Sequence, residues 1–141
     1  MAKIDIYLAL VECIKNDDIK GALNMFADDV KFYAAVGMVP PFTDKAQLGA
    51  WLENSVGQLR NRQWRVTSYA ETDRTLFLEG VEEYDTADGH HVVIPYAGVC
   101  EFSAEKICAW RDYLHGNLLK QGNSGEPTKD HVLALAKKPS I

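Results

Sequence analysis

The chain of 141 residues is 47% hydrophobic and 25% charged, the composition of one compact domain rather than of two independent cores. Its 20 acidic and 15 basic residues leave a net charge of -5 with no cluster of Lys and Arg, which argues against nucleic acid and against an anionic membrane as partners. Three cysteines (Cys13, Cys100, Cys108) without CxxC spacing cannot complete a disulfide framework, and a chain this long buries roughly two thirds of its unfolded surface without a metal or disulfide staple. Asp5 interrupts what would be the apolar part of a secretory signal, and no apolar run approaches the ~20 residues that span a bilayer. The expected location is cytoplasmic.

Ile4, Tyr7, Leu8, Val11 and Ile14 recur at steps of three and four, one face of an amphipathic helix that Asn16-Asp17-Asp18 ends. A second helix is expected from about Ile19 to Phe26, and a short strand of β-branched and aromatic residues from Val30 to Val36. Pro40-Pro41 makes the next stretch a loop, because proline fixes φ and lacks a backbone donor. Asp44 followed by Gln47 has the form of a helix-starting box, and Leu48, Trp51, Leu52 and Val56 keep helical spacing to about Leu59.

From Gln63 the period changes to two. Trp64, Val66 and Ser68 alternate with polar residues, and Thr75 to Asp85, His91 to Phe102 and Lys106 to Leu114 are three further strands with separators short enough for hairpins. Helices followed by a four-strand antiparallel meander predict an α+β domain over residues 1–115, with helices packed on one face of a curved sheet. Residues 116–141 read as an extension: a Gly, Asn, Ser and Pro-containing linker from Gly116 to Thr128, then two helical turns from Asp130 to Lys138 that need a docking surface to be stable. Val99, Ile107, Ala109 and Tyr113 add apolar residues to the outward sheet face, which predicts a homodimer through the sheets.

In a strand, residues two apart share a face. Glu83 and Asp85 therefore point together, as do Trp110 and Asp112, while Ile94 and Tyr96 lie on the strand between. A curved sheet closed by helices would place Trp110, Tyr96, Ile94 and Phe32 around an apolar pocket with carboxylates at its floor, the usual form of a small-molecule site. Crowded carboxyl groups raise at least one pKa, leaving a protonated acid beside an ionised one. On spacing alone the alternative stands that these acids lie on a solvated face.

The run from Gly89 through Ile94-Pro95-Tyr96-Ala97-Gly98-Val99, followed by Trp110-Arg111-Asp112-Tyr113, resembles the closing strands of the limonene-1,2-epoxide hydrolase family. Phe26-Ala27-Asp28-Asp29-Val30 resembles the FADDV element of the wider nuclear transport factor 2-like, or SnoaL-like, superfamily. The resemblance spans nearly all of residues 1–115. It implies a cone-shaped, cystatin-like curved sheet, mostly antiparallel, covered by N-terminal helices. It also implies one-step opening of an epoxide by water, without a covalent intermediate or a cofactor. Asp112 falls on the base that activates water and Asp85 on the acid that protonates the epoxide oxygen; Trp110 and Ile94 fall on the pocket wall.

Three positions depart from that pattern. Glu83 stands where the family has an arginine that bridges the two aspartates, and would either raise its neighbours' pKa values or orient them through water. Phe32 and Ala34 stand where a tyrosine and an asparagine hold the water, with Tyr33 adjacent. A ketosteroid isomerase-like pattern fails, because Leu10 and Ala35 occupy its tyrosine and acid positions. Two alternatives remain: a SnoaL-like cyclase or isomerase using the same aspartate pair, and a non-catalytic domain that holds a hydrophobic ligand. His90, His91 and His115 have no ligand spacing on one element and there is no glycine-rich phosphate loop, so neither a metal nor a cofactor is expected.

Overall fold

The computed structural model describes residues 1–141. Two helices, α1 (Lys3–Lys15) and α2 (Ile19–Leu23), precede strand β1 (Phe26–Tyr33). Helix α3 (Lys45–Asn54) and a 3₁₀ turn (Val56–Gln58) lead into β2 (Arg60–Glu71), β3 (Thr75–Asp85), β4 (His91–Ser103) and β5 (Lys106–Leu114). Helices α4 (Gly116–Asn123) and α5 (Asp130–Ala136) close the chain. No helix is long and apolar enough to cross a membrane.

The five strands form one open, curved sheet in the order β1-β5-β4-β3-β2, antiparallel throughout except for the parallel pair of β1 with β5. Its inner face packs on α1, α2 and α3 through one apolar core that includes Tyr7, Leu10, Phe26, Phe32, Leu48, Leu76 and Trp110. The α+β architecture is the expected one. Helix α1 buries Ile4, Ile6, Tyr7, Leu10 and Ile14, whereas Leu8, placed on the buried face by spacing, is 39% exposed.

Gln47 closes the start of α3 from both sides. Its backbone N–H donates to Asp44 Oδ1 at 2.8 Å, and its side-chain oxygen accepts from the Thr43 N–H at 2.8 Å. Helix α2 stops at Leu23, three residues early, and β1 starts at Phe26 because Phe26, Val30 and Phe32 all belong to the core. The expected linker is partly helix: α4 lies against β4, where a Cβ on Gly122 would meet Val92 Cγ1 at 2.9 Å.

Helix α5 finds the docking surface that its length requires. Its Ala136 packs with Val81 and Val93 on the outer sheet face, with Leu133 alongside. Arg65 donates to the carbonyls of Ala136 and Lys138 at the C-terminal end of that helix, and the Ile141 N–H donates to Val66 O at 3.0 Å. Part of the outer face is thus covered by the chain's own tail. Phe77 and Tyr113 remain open on that face at 46% and 45% exposure. Ile107, expected beside them, is fully buried in the core.

One buried cation ties helices to sheet. Arg62, 8% exposed, donates through Nη1 to Val56 O (3.0 Å) and Leu59 O (2.8 Å), and through Nη2 to Ile14 O (2.9 Å) and Asp17 Oδ1 (2.5 Å). Val56 O also accepts from the Leu59 N–H (3.0 Å) and Ile14 O from the Asp17 N–H (3.2 Å), so Arg62 adds a charged second donor that joins the end of α1 to the 3₁₀ turn and to β2. Replacing Arg62 with Ala removes these charge-assisted bonds and should destabilise the fold by about 1.5–3 kcal/mol, read as a lower urea midpoint at unchanged slope.

Candidate active site

Strand alternation decides which side chains face the helices. On β3 the inward set is Leu76, Leu78, Gly80, Glu82 and Tyr84; on β4 it is Val92, Ile94, Tyr96, Gly98 and Cys100. On β5, Phe102 pairs with Ile107 but Glu101 pairs with Ala109, so Cys108 is an extra residue, a β-bulge. The bulge turns Ile107 inward together with Trp110 and Asp112, although the three do not share parity.

The inward groups meet at a cavity of about 260 Å³. Its sheet wall is Trp64, Glu82, Tyr84, Asp112 and Leu114. Trp51, Ser55, Val56 and Leu59 face them from α3 and the 3₁₀ turn. Ala34, Ala35 and Val39 close one side and Leu119 of α4 the other. The walls are mainly apolar, and the two carboxyl groups face this space without a Lys, Arg or His among the lining residues.

Asp112 is only 3% exposed. The Trp110 indole Nε1–H donates to its Oδ1 at 2.8 Å, and no protein donor reaches its other oxygen. Room for the carboxyl group comes from Gly98, its register partner on β4, where a Cβ would lie 3.0 Å from Oδ1. Burial raises the Asp112 pKa well above the usual carboxylate range, the nearby Glu82 charge raises it further, and the Trp110 hydrogen bond acts in the opposite direction. Glu82, half-buried, is pushed up to about 7 by burial. Behind Asp112, Tyr7 and Tyr96 share a buried hydrogen bond of 3.0 Å between their hydroxyls, and burial pushes both phenols up.

The sheet does not bring Asp85 and Glu83 to this place; that expectation is corrected. Both lie on the outer face of β3, one residue out of phase with Glu82 and Tyr84. Asp85 accepts from Asn61 Nδ2 at 2.7 Å and pairs with His91 Nδ1 at 2.7 Å; these bonds, Asn61's first, hold its carboxyl below the usual range. Glu83 lies 3.3 Å from His91 Nε2 and 3.5 Å from Arg65, the residue that holds α5. The same surface position raises the His91 pKa, chiefly through Asp85.

The wall residues expected from sequence also divide. Trp110 is buried behind Asp112 and orients it, with Phe32 stacked edge-on at 4.5 Å between centroids. Ile94 is fully buried beside Tyr84 and Val92, opposite Glu82 in register, and Tyr96 is bonded to Tyr7. Tyr33 pairs with Arg111 and faces the other way. Glu82, Tyr84 and Trp64 were missed. Alternation groups Leu76, Leu78, Glu82 and Tyr84 on one face of β3, but the other face carries Phe77 and Val81 beside Glu79, Glu83 and Asp85, so the pattern alone does not say which face turns inward.

Residues 7–110 match the SnoaL-like domain. The chain belongs to that family. Among solved structures, the SnoaL-like domain here is similar to an LEH-like epoxide hydrolase from M. tuberculosis, at 18% identity over 87% of this chain and 90% of that one, with a TM-score of 0.75. It is similar to a protein assigned as a polyketide cyclase from Xanthomonas campestris pv. campestris, at 17% identity over 85% and 95% of the two chains and a TM-score of 0.74. A SnoaL-like protein from Shewanella denitrificans OS-217, also assigned as a polyketide cyclase, gives 10% identity over 88% and 98%, with a TM-score of 0.78. At these identities the likeness is one of fold. No curated protein matches the chain.

The buried acid predicts a pH signature. Glu82 is raised to about 7 in the fold against about 4.3 when unfolded, so between those values the unfolded chain releases its proton first and stability falls as pH rises. Glu82→Gln removes that loss. It should match the parent near pH 4 and exceed it near pH 8 by up to about 3 kcal/mol, read from urea midpoints at both pH values.

Proposed function

We propose that this protein is a cofactor-independent acid–base enzyme acting on a small hydrophobic substrate, with Glu82 and Asp112 as the pair that moves the proton. The observation that carries the reading is the placement of both carboxyl groups in one mainly apolar cavity without a basic side chain in its wall. Two such groups do not both ionise cheaply, so near neutral pH they share one proton. One carboxylate then accepts a proton from the substrate while the other carboxylic acid donates one, and each role is filled before the substrate arrives. Apolar walls strengthen both steps by keeping bulk water away.

The wall favours an internal nucleophile over water. Apart from the two acids, its polar side chains are the hydroxyls of Ser55 and Tyr84 and the Trp64 indole, and the positions that hold water in the epoxide-hydrolase pattern carry Phe32 and Ala34. This is the requirement of a cyclase or isomerase: deprotonate one group of the substrate, protonate another, and exclude solvent. Hydrolytic opening of an epoxide is the second reading, favoured by Trp110 holding Asp112 within the WRDY stretch and by the fold likeness to an epoxide hydrolase. In that case the ionised member of the pair activates the water and the protonated member donates to the epoxide oxygen.

Asp112→Asn and Glu82→Gln should each lower kcat by about 10²–10⁴-fold on a substrate from a panel of small epoxides and hydroxy-epoxides, with circular dichroism unchanged. Full turnover in both variants refutes the acid–base pair. Run in heavy-oxygen water, the two reactions separate: an unlabelled ring ether marks the internal nucleophile, and a labelled diol marks hydrolysis.

A further inference from the structure

We propose that the Glu82–Asp112 cavity takes a substrate whose small hydrophobic body bears a cationic nitrogen, a substituted ammonium. The proposal rests on the reading of this cavity as the active site and names its substrate class.

Acids elsewhere on the sheet come with partners. Glu83 has Arg65 and His91, Asp85 has Asn61 and His91, and Glu101 has Arg111 at 2.5 Å. Within the cavity no Lys, Arg or His stands against the two carboxyl groups. Asp112 takes one hydrogen bond, on Oδ1, and its second oxygen takes none from the protein. That oxygen is not sealed in the core but opens to the cavity that Asp112 lines, where no cation of the protein faces it, and a ligand cation supplies what the wall omits.

The rest of the wall suits such a head group. Trp51, Trp64 and Tyr84 line the same space, and aromatic faces attract ammonium groups, indole most strongly. An anionic ligand would meet two acids and no positive group. At about 260 Å³ the cavity lies below the ~300–1,000 Å³ of drug-sized pockets, so the body attached to the nitrogen is small. Glu82, the less buried acid, is the natural partner of the cation. The other titratable groups facing the pair are Tyr84 in the wall and Tyr7, Tyr96 and Cys100 behind Asp112, all kept protonated by burial.

The test uses the full chain and two probes of equal shape: choline, and its neutral carbon isostere, in which a quaternary carbon replaces the nitrogen. Calorimetry and tryptophan fluorescence should show choline binding at least about tenfold more tightly than the isostere near pH 8. That advantage should shrink at least about tenfold near pH 5, where the pair takes up protons, while the isostere is unaffected. Glu82→Gln, and independently Asp112→Asn, should weaken choline and leave the isostere unchanged. Equal binding of the two probes, choline affinity untouched in both variants, or no binding of either at tens of millimolar overturns the proposal. Its failure leaves the acid–base reading standing if Asp112→Asn still abolishes turnover of a neutral substrate. A choline preference with turnover intact in that variant keeps the ligand class and removes the acid–base pair.

Discussion

One inserted residue in β5 governs which of its side chains face the interior. Because Cys108 is extra to the β4–β5 ladder, Ile107 can fill the core beside α2 while Trp110 and Asp112, an odd number of residues further on, also face inward. A ladder without the bulge would bury either Ile107 or the Trp110–Asp112 pair, not both. The consequence is a carboxyl group inside an apolar core, fixed at one oxygen by a neighbouring indole and given room by the glycine opposite.

Keeping two acids in such a place works against stability, and the surrounding structure offsets it. A continuous apolar core of helix and sheet residues encloses the site, and Arg62 ties the end of α1 and the 3₁₀ turn to the sheet. The outer face solves the opposite problem. There Arg65, His91 and Asn61 sit among Glu83 and Asp85, so those acids serve to hold the tail and the edge of the hairpin. Inner and outer carboxylates one residue apart on β3 therefore have different environments and different chemistry.

Much of the fold was legible along the chain. β3 and β5 emerge from period-two patterning with the expected limits, and the Asp44–Gln47 box marks the start of α3. Helix α4 was less legible, because Gly116, Asn117, Gly122 and Asn123 have the composition of a linker; its helix forms by lying against β4. The tail's two turns near Asp130 were legible, together with their need for a surface, but not which surface. Ile107 could not be assigned from alternation, because a bulge leaves no mark in the pattern of apolar residues.

The sequence by itself determined which residues share a face of each strand: Glu82 with Tyr84, Glu83 with Asp85, Trp110 with Asp112. Tertiary structure alone decided which of those faces turned inward. Both faces of β3 are partly apolar, since Leu76 and Leu78 meet the helices on one side and Val81 meets α5 on the other. A period of two specifies relative phase only. The packing of α1 to α3 against one side of the sheet, and of the C-terminal helix against the other, set the absolute phase and so made Glu82, rather than Asp85, the companion of Asp112.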